Sequence, residues 1–437
     1  MTAIRYFLTF ITAASLLVIV AIYTFGPEAL ERAQNRVAGD KGAEPSESTQ
    51  TLHASLEIAD LHADTLLWYR SMLERSDRGQ VDLPRMLDGN MAVQMLTTVT
   101  KSPSGQNYDS NSAEAGDNIT LLALVQRWPL QTRNSLFARA MYQAERLHDF
   151  AEDSEALTVV TSAEELKYVL AARESGQETV AALLGTEGSH ALDGDLDNIQ
   201  HLFDAGFRMM SLQHFFDNKL GGSLHGESNA GLTEFGRQAV LSMDAMSIMI
   251  DVSHSSPQVV DDVLNLIDSP LIVSHTGFKG HCNQKRNISD DLMHRIAERG
   301  GLIGVGFWSE AVCGEDTDAI ADAIAYGVQT FGLDAIALGS DWDGAVTTPI
   351  AVNDLAFLTS ALLARGLPEE QVRAVMGGNT IRYFLNQLPT TDSVLLKSQR
   401  PHSARHTSPQ QTARLTLQSA EGHRRYIQTP LWQALSR

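Results

Sequence analysis

The sequence of 437 residues has few cysteines and no excess of basic residues, two features from which functional sites are often built. It has two cysteines, Cys282 and Cys313, which excludes a disulfide scaffold, a CxxC zinc site and a cysteine-ligated iron–sulfur cluster. It has no surplus of basic residues, because 53 acidic residues oppose 33 basic ones and the net charge is −20. Proteins that bind polyanions show the opposite balance, so nucleic acid is not an expected partner. Any metal must be bound by His, Asp and Glu.

The N-terminal region has a long uncharged apolar run, Tyr6–Phe25, of 20 residues. A helix of that length rises about 30 Å and can cross a bilayer core. We predict that residues 1–26 are an uncleaved membrane anchor, with a cleaved signal peptide as the alternative. Residues 27–56 are rich in Ala, Glu, Ser and Gln and are predicted to be a linker. The body is expected outside the cytoplasm, in the periplasm if the source is bacterial. A form of the chain that starts near residue 50 is expected to be soluble and active.

The C-terminal residues 391–437 have a different composition from the rest of the chain. They carry seven Lys or Arg and two Asp or Glu, and they are rich in Ser, Thr and Gln. We predict a basic, mobile or loosely docked tail, either solvated or in contact with anionic lipid headgroups. The residues between the linker and the tail, 57–390, are predicted to form one domain.

Eight short apolar runs alternate with helical stretches in this middle part of the chain. The runs are Leu56–His62, Met91–Val99, Thr179–Gly185, Phe207–Gln213, Ser247–Val252, Pro270–Val273, Gly301–Phe307 and Ala335–Leu338. The helical stretches include Ser162–Ser175, Leu232–Met246, Pro257–Leu266 and Asp316–Phe331. Strands that alternate with helices indicate parallel βα units, and eight units predict an α/β fold of the (β/α)8 TIM barrel type. The alternative is an open doubly wound sheet, although no GxGxxG motif follows the first strand.

Reactive side chains stand at or just after the ends of six predicted strands. They are His62, Asp64, Glu187, His214, His254, His275 and Asp341. In a barrel the C-terminal strand ends converge at one mouth, so these residues are expected to share a pocket. Each alone has a simpler explanation, a loop histidine with its own partner or an aspartate that caps a helix. Seven at corresponding positions indicate a common site.

The residue types at these positions indicate a metal centre. Neutral imidazole and carboxylate suit zinc, and other divalent ions are possible. Side chains two apart on an extended segment project to the same side, as in His62 and Asp64. Glu187 can bridge two cations, and two ions on one carboxylate would hold a hydroxide between them. His254 and His275 end neighbouring strands and are a natural pair for a second ion.

At these residues the sequence resembles the membrane dipeptidase (renal dipeptidase) family of zinc peptidases, family M19. The family's fold is the metal-dependent hydrolase version of the barrel, in agreement with the strand count. The matching segments follow the family's order over residues 57–388. They are DLHADTLLW (60–68), GTEGSHAL (185–192), SLQHFFDN (211–218), GLTEFGRQAVLSMDAMSIMIDVSHSS (231–256), SHTGFKGHCNQKRNISDD (274–291), GSDWDGA (339–345) and MGGNTIRYF (376–384).

The resemblance implies a role for each site residue. The implied ligands of two zinc ions are His62, Asp64, Glu187, His254 and His275, with Glu187 as the bridge. His214 is implied to stabilise the oxyanion of the tetrahedral intermediate and Arg286 to bind the substrate carboxylate. Asp341 is implied to be the acid/base residue. Catalysis is therefore assigned to Asp341, His214 and Glu187, and substrate binding to His214, Arg286 and Asp341.

The predicted function is hydrolysis of free dipeptides by a hydroxide that bridges two Zn²⁺ ions. A lactam or lactone hydrolase on the same site is one alternative. A membrane-tethered binding module with an inactive metal site is another, although the complete ligand set argues against it. The expected partners are dipeptide substrates and, through the N-terminal segment, a membrane. A homodimer is possible, since dimers are typical of the family.

Some residues near these motifs have other predicted roles. Asp343 is predicted to orient a metal ligand without binding metal. His190, His225 and His281 are not predicted as ligands, because none falls at a strand end.

Residues 101–150 match no motif and form an insertion that can shape the pocket. Cys282 and Cys313 follow neighbouring barrel strands, and an extracytoplasmic location permits a disulfide between them. Two separate buried thiols are the alternative.

Overall fold

The computed structural model describes residues 2–390, and the predicted basic tail, 391–437, lies outside the described residues. The strands are β1 (Arg36–Val37), β2 (Ile58–Ala63), β3 (Met91–Val99), β4 (Leu157–Val159), β5 (Val180–Glu187), β6 (Phe207–Ser211), β7 (Met249–Asp251), β8 (Ile272–Thr276), β9 (Leu302–Val305), β10 (Ile336–Leu338) and β11 (Thr347–Thr348). The helices are α1 (Thr2–Gln34), α2 (Glu47–Ala54), α3 (Leu83–Asp88), α4 (Asn118–Val125), α5 (Leu136–Glu152), α6 (Ala163–Glu174), α7 (Asp197–Asp204), α8 (Glu234–Ala245), α9 (Pro257–Leu266), α10 (Asp290–Glu298), α11 (Ser309–Val312), α12 (Thr317–Phe331), α13 (Leu355–Ala364), α14 (Glu369–Arg373) and α15 (Asn379–Gln387).

Eight of these strands form a closed parallel barrel. Neighbours follow the order β3, β2, β10, β9, β8, β7, β6 and β5, and β3 pairs with β5 to close the ring. The closing pair runs in register from Val93 opposite Ala181 to Val99 opposite Glu187. The predicted (β/α)8 barrel is thereby confirmed, and the open doubly wound alternative is wrong. Strand β4 pairs with the beginning of β5 outside the ring, and its three residues are too few to give a sequence pattern.

Local sequence signals explain where several helices begin. The side chain of Ser162 accepts a hydrogen bond from the Glu165 amide, and the Glu165 carboxylate accepts one from the Ser162 amide, which is a capping box at the start of α6. Asp316 caps α12 by accepting a 2.8 Å hydrogen bond from the amide of Ala319. These caps lie at the first residues of the predicted helical stretches, which is why those predictions agree with α6 and α12 to within a residue at each end.

The strands contribute to two hydrophobic cores because both of their faces are buried. Alternate strand residues such as Leu61, Met95 and Leu183 cluster with Tyr383 and Phe384 of α15. The intervening strand residues belong to a larger cluster that includes the inner faces of the surrounding helices. The strand ends are thus held rigidly from both sides, which places the residues that follow them in fixed positions.

Helix α1 begins with the apolar run and ends against the barrel. The part Ile4–Gln34 contains a stretch that is long and apolar enough to cross a membrane, and that stretch is exposed on the protein. Further along, Glu31 and Asn35 are buried, with 2% and 4% of their surfaces exposed. Residues 27–56, for which the sequence predicts a linker, include the end of α1, β1 and α2, and β1 pairs with β11. The domain boundaries stay a prediction.

Candidate active site

Four imidazole rings surround Glu187 at the end of β5. Its Oε1 lies 3.6 Å from Nε2 of His62, 3.3 Å from Nε2 of His254 and 3.5 Å from Nε2 of His275. Its Oε2 lies 3.4 Å from Nε2 of His214. All five side chains are buried. The strand ends therefore bring together residues that are more than 200 positions apart in the sequence.

Hydrogen bonds on the far side of two rings fix their tautomers. The Oγ of Ser274 lies 3.1 Å from Nδ1 of His62 and 2.9 Å from Nδ1 of His275. The same hydroxyl donates its hydrogen to Oδ2 of Asp251 at 2.7 Å. Because its one hydrogen is used in this way, both Nδ1 atoms donate to Ser274. The Nε2 atoms of both rings are then left with lone pairs that point toward Glu187.

His214 repeats this pattern, whereas Nδ1 of His254 has no hydrogen-bond partner among the described residues. Nδ1 of His214 donates to the carbonyl oxygen of Lys101 at 3.2 Å, which leaves a lone pair on its Nε2. Nε2 of His254 lies only 2.9 Å from Nε2 of His275, and Nε2 of His62 has no hydrogen-bond partner among the described residues. Lone pairs on the Nε2 atoms of His62, His214 and His275 thus converge with the carboxylate oxygens of Glu187 in a buried space. A divalent cation satisfies such a donor set, since imidazole and carboxylate are ordinary ligands of zinc and related ions.

Two further carboxylates lie at the edge of the cluster. Oδ1 of Asp64 is 3.6 Å from Nε2 of His62 and accepts a 2.6 Å hydrogen bond from Thr97. Oδ1 of Asp341 is 3.9 Å from the same nitrogen. Two groups of ligand atoms are close enough to hold a cation: His62, Glu187, His275 and Asp341, and separately Glu187, His214 and His254. The bridge candidate belongs to both groups. This grouping differs from the predicted one, because it includes Asp341 and His214 and leaves Asp64 outside.

Burial dominates the electrostatics of most of the cluster, although at His62 burial is outweighed by the charges of Asp64 and Asp341, which raise its pKa. Burial raises the pKa of Glu187 and of Asp341 well above their usual range, and the charge of Asp64 raises that of Glu187 further. Burial also lowers the pKa of His254 and of His275 well below the usual range, with help from neighbouring positive groups. A bound cation favours ionised carboxylates and neutral imidazoles. The cluster is therefore suited to a metal and is electrostatically unfavourable without one.

Arg286 lies in the wall of the same cavity, in the loop after β8. Its Nη2 donates to the carbonyl oxygen of His275 at 2.8 Å, and its Nη1 donates to that of Ser253 at 3.3 Å. The guanidinium also lies 5.2 Å from the centre of the Trp308 ring. These contacts hold a buried positive charge next to the cluster of candidate metal ligands.

The insertion predicted at residues 101–150 contributes to the wall of the cavity, whose volume is about 130 Å³. Gln106 and Tyr108 from this insertion line it together with Phe215. The ring of His225 stacks on Phe215 at 5.0 Å, and burial lowers the pKa of His225 to about 3. The pocket wall thus combines residues of the insertion, which match no family motif, with motif residues such as Phe215.

The loops after β8 and β9 are joined by a disulfide between Cys282 and Cys313. The predicted bond is therefore present, and the alternative of two separate thiols is wrong. The bridge closes a segment with a sequence separation of 31 residues. It braces the loop that carries Arg286 against its neighbour.

The residues with other predicted roles lie around this centre. Oδ2 of Asp343 accepts a 2.8 Å hydrogen bond from Thr65, the neighbour of Asp64 in the sequence, so its ligand-orienting role stays a prediction. His190 packs against Phe216 at 5.0 Å. His281 packs against Tyr326 at 5.4 Å. Among the described residues, no group of metal-ligand atoms includes the three histidines left out of the ligand set.

Sequence reasoning missed the residues that hold the rings from behind. Ser274 and Asp251 orient two imidazoles, and the carbonyl of Lys101 orients a third. A usable signal was present, because buried small polar residues stand directly before ligand histidines in DVSH (251–254) and SH (274–275). No signal of this kind marks Lys101 or Tyr108, which reach the site only through the path of the insertion.

Solved structures share this fold. The dipeptidase AC, a metallopeptidase of family M19, has a TM-score of 0.63 at 23% identity, over 76% of this chain and 99% of that one. A metallopeptidase from Rhodobacter sphaeroides, bound to a phosphinate mimic of the dipeptide L-Ala-D-Ala, has a TM-score of 0.62 at 22% identity, over 76% and 99%. The probable dipeptidase PvdM from Pseudomonas aeruginosa has a TM-score of 0.64 at 18% identity, over 78% and 98%.

The sequence itself matches a family over most of its length. The model of the membrane dipeptidase family matches residues 46–393, which include the whole barrel and every candidate site residue. The ordered motifs, the closed barrel and the metal-binding geometry agree with that match. The chain belongs to the membrane dipeptidase family, peptidase family M19, a family of metal-dependent dipeptidases.

Proposed function

We propose that this chain is a two-zinc enzyme that hydrolyses the peptide bond of free dipeptides. The main support is the convergence of four imidazole Nε2 atoms on Glu187, with Arg286 in the wall of the same cavity. A dipeptide mimic is bound in the similarly folded Rhodobacter sphaeroides metallopeptidase, and a ligand of the same kind is proposed for this cavity.

The proposed ligands are those of the sequence prediction: His62, Asp64, Glu187, His254 and His275. Ions bound there supply a Lewis acid and an ionised water at neutral pH. Ser274 holds two of the rings with their Nε2 atoms toward the centre, and Thr97 holds Asp64 in the same way through a hydrogen bond. Partners of this kind raise ligand basicity and restrict ring rotation.

Asp341 is the proposed proton carrier. Its carboxylate lines the cavity, and burial raises its pKa well above the usual range. A carboxyl group with a raised pKa can take a proton from water and deliver it to the leaving amine. The substitution Asp341→Asn removes this function while preserving the shape of the side chain.

His214 is proposed to stabilise the oxyanion, and its tautomer sets a condition on that role. Because Nδ1 donates to the Lys101 carbonyl, Nε2 can donate only when the ring is protonated. Burial lowers the pKa of His214 to about 4, and the negative charge that develops on the substrate opposes that shift. The ring is then expected to take up a proton from bulk solvent before it donates to the oxyanion, and to return that proton to solvent when the oxyanion collapses.

Arg286 is proposed to select free dipeptides by their C-terminal carboxylate. In a dipeptide this group lies one residue beyond the scissile bond, whereas a tripeptide places it further away and an amidated dipeptide lacks its charge. The planar guanidinium fits a carboxylate with two parallel hydrogen bonds. Fast cleavage of free dipeptides and slow cleavage of the other two classes are expected.

The matched test compares Arg286→Ala with Lys285→Ala, whose side chain is exposed and pairs with Asp109. Arg286→Ala is expected to lower kcat/KM by about 2–3 kcal/mol in transition-state free energy, and Arg286→Lys to recover little. Lys285→Ala is expected to stay near the wild type. Equal rates for a free and an amidated dipeptide in the wild type would refute carboxylate selection.

Metal analysis separates this function from the alternatives. Purified protein is expected to retain about two zinc ions per chain, which are lost at low pH as the ligands are protonated. Glu187→Gln is expected to lose zinc and activity because a neutral amide bridges cations poorly, whereas Glu174→Gln, on the exposed end of α6, retains both. Preferred cleavage of lactams or lactones would support the alternative hydrolase, and zinc binding without hydrolysis would support the binding module.

The apolar part of α1 is proposed to anchor the enzyme with its body outside the cytoplasm. The Cys282–Cys313 disulfide supports this location, because disulfides persist in oxidising compartments. Full-length protein is expected to sediment with membranes and to resist carbonate extraction. Free mature protein that begins beyond residue 25 would show a cleaved signal peptide instead.

A further inference from the structure

The residues that follow the apolar run contact the loop that carries Asp341. This loop, residues 340–348, is called the catalytic loop below. Glu31 near the end of α1 is 2% exposed and pairs with Nε of Arg70 and, at 2.9 Å, with Nε of Arg78. Nη2 of Arg70 donates in turn to Oδ2 of Asp343 at 2.5 Å. A chain of buried charges thus leads from α1 into the catalytic loop.

Asp343 connects this chain of charges to the loop backbone. Its Oδ1 accepts a 2.7 Å hydrogen bond from the amide of Gln80, and its own amide donates to Oε1 of Gln80 at 2.6 Å. Its carbonyl oxygen accepts a 2.7 Å hydrogen bond from Nε1 of Trp68. Asp343 lies two residues from Asp341, so these bonds restrict the position of the catalytic carboxylate.

A second set of contacts joins the same two regions. Oδ1 of Asn35 accepts a 3.0 Å hydrogen bond from the amide of Ala345. Strand β1 pairs with β11 at the end of the catalytic loop, with Arg36 opposite Thr347. The segment after the anchor helix therefore contacts the loop at both the side-chain and the backbone level.

The catalytic loop needs such support because its backbone is strained. Asp341, Asp343 and Ala345 all have positive φ angles, of 61°, 60° and 63°. Residues with a Cβ rarely adopt this conformation, and they keep it only when surrounding contacts enforce it. Gly79 makes room for the contacts: a Cβ there would lie 2.6 Å from Nη2 of Arg70.

We propose that Glu31, Arg70 and Asp343 form a positioning network through which the segment after the anchor helix holds Asp341 in its reactive position. These residues act through Asp341 and do not touch the reacting atoms. Glu31 and Asn35 precede residue 46, where the family match begins, so the network adds to the matched domain a part that the match does not contain. The kinetic part of the proposal rests on the proposed dipeptidase function.

This network changes one expectation from the sequence. A form of the chain that starts near residue 50 lacks Glu31, Asn35 and β1, and it leaves Arg70 with one anionic partner fewer. We now expect such a form to be less active than one that starts at residue 27. The apolar part of α1 is dispensable for catalysis in this view, and the residues after it are not.

The test uses full-length, zinc-loaded protein in detergent and compares Glu31→Gln with Glu28→Gln. Glu28 lies on the same helix, is exposed, and pairs with Arg32 and, at 3.9 Å, with Arg78, neither of which belongs to the proposed network, so its substitution is the matched control. Glu31→Gln is expected to lower kcat on a free dipeptide by about tenfold or more, because small displacements of a catalytic group are costly. KM and zinc content stay within about twofold of the wild type, and the control matches the wild type in all three quantities.

Hydrogen exchange gives a readout that does not depend on activity. In Glu31→Gln the amides of residues 341–348 are expected to exchange faster, while those of the disulfide-braced loop after β8 do not change. Gly79→Ala, which enters the network from another element, is expected to show the same pattern. If the wild type cleaves no dipeptide, the proposed function is wrong. The exchange data still show whether the network holds the catalytic loop in place. Unchanged exchange in both variants, or an activity loss matched by zinc loss, would overturn the proposal.

Discussion

The two aspartates of the catalytic loop lie two residues apart and have opposite surroundings. Asp341 lines the cavity, close to Nε2 of His62 and without a cationic partner within salt-bridge distance among the described side chains other than that imidazole. Asp343 points away from the cavity, is fully buried, and accepts hydrogen bonds from Thr65, Arg70 and the Gln80 amide. In the proposed mechanism, one short motif therefore supplies both the reactive group, Asp341, and the residue that supports it, Asp343. Burial with few partners makes a carboxyl group reactive, whereas burial with several donors makes it structural.

The largest expected effect is that of Asp341→Asn. Loss of a general acid/base is expected to lower kcat by about 10²–10⁴-fold. Burial raises the pKa of Asp341, so any stability that this group contributes is present at low pH and is lost as the pH rises through the raised pKa. When both proteins are free of metal, Asp341→Asn is therefore expected to unfold at pH 7 at the same temperature as the wild type or at a higher one. Steady-state kinetics and thermal unfolding measure the two effects, and a variant with near wild-type kcat would contradict the proton-transfer role.

The second prediction concerns Asp343→Asn, which is expected to affect stability more than catalysis. The substitution leaves the buried Arg70 guanidinium with less compensating charge, and breaking a buried ion pair costs about 3–5 kcal/mol. The thermal unfolding temperature is expected to fall clearly, and kcat to fall less than in Asp341→Asn. The contrast between the two aspartates would be lost if Asp343→Asn reduced kcat as strongly while leaving the unfolding temperature unchanged.

The disulfide between the loops after β8 and β9 is expected to contribute to stability and not to catalysis. Replacing Cys282 and Cys313 by serine opens a loop with a sequence separation of 31, and the chain-entropy estimate of the cost is about 3–4 kcal/mol. Kinetics below the unfolding temperature are expected to stay close to those of the wild type. Denaturant unfolding of the variant and the wild type measures the difference, and equal unfolding midpoints would show that the bond contributes no stability.

The smallest expected effect is that of Thr65→Val, which removes one of the donors to Asp343. The lost 2.8 Å hydrogen bond should cost about 1 kcal/mol of stability. Zinc content and kcat are expected to stay near those of the wild type, since Arg70 and Gln80 still hold the aspartate. Thr51→Val, at an exposed position of α2, is the control. A large loss of zinc in Thr65→Val would instead support the sequence-based prediction that Asp343 orients a metal ligand, with Asp64, the neighbour of Thr65, as the candidate.

Much of the barrel could be predicted because its signals are local. The run Met91–Val99 agrees with β3 residue for residue, and Pro257–Leu266 agrees with α9, since burial on both faces and a proline at the first helical turn are visible in the sequence. The seven strand-end residues could be predicted as one site because parallel strands of a barrel end at one mouth. The grouping of ligand atoms around each candidate metal position could not be predicted, because it depends on distances between side chains from different strands.

The sequence by itself determined the barrel and the types of residue at the candidate metal site, because periodicity and motif order carry that information along the chain. The structure decided that Cys282 and Cys313 are bonded and not two separate thiols. Only the tertiary structure decided the tautomers of His62 and His275, since Ser274 reaches both rings only when β2 and β8 converge at the barrel mouth. It also decided that residues 27–40 form part of the support of the catalytic loop. Nothing in their composition shows that Glu31 is buried against Arg70, because a surface glutamate and a buried one look alike until a partner from a distant part of the chain is placed beside them.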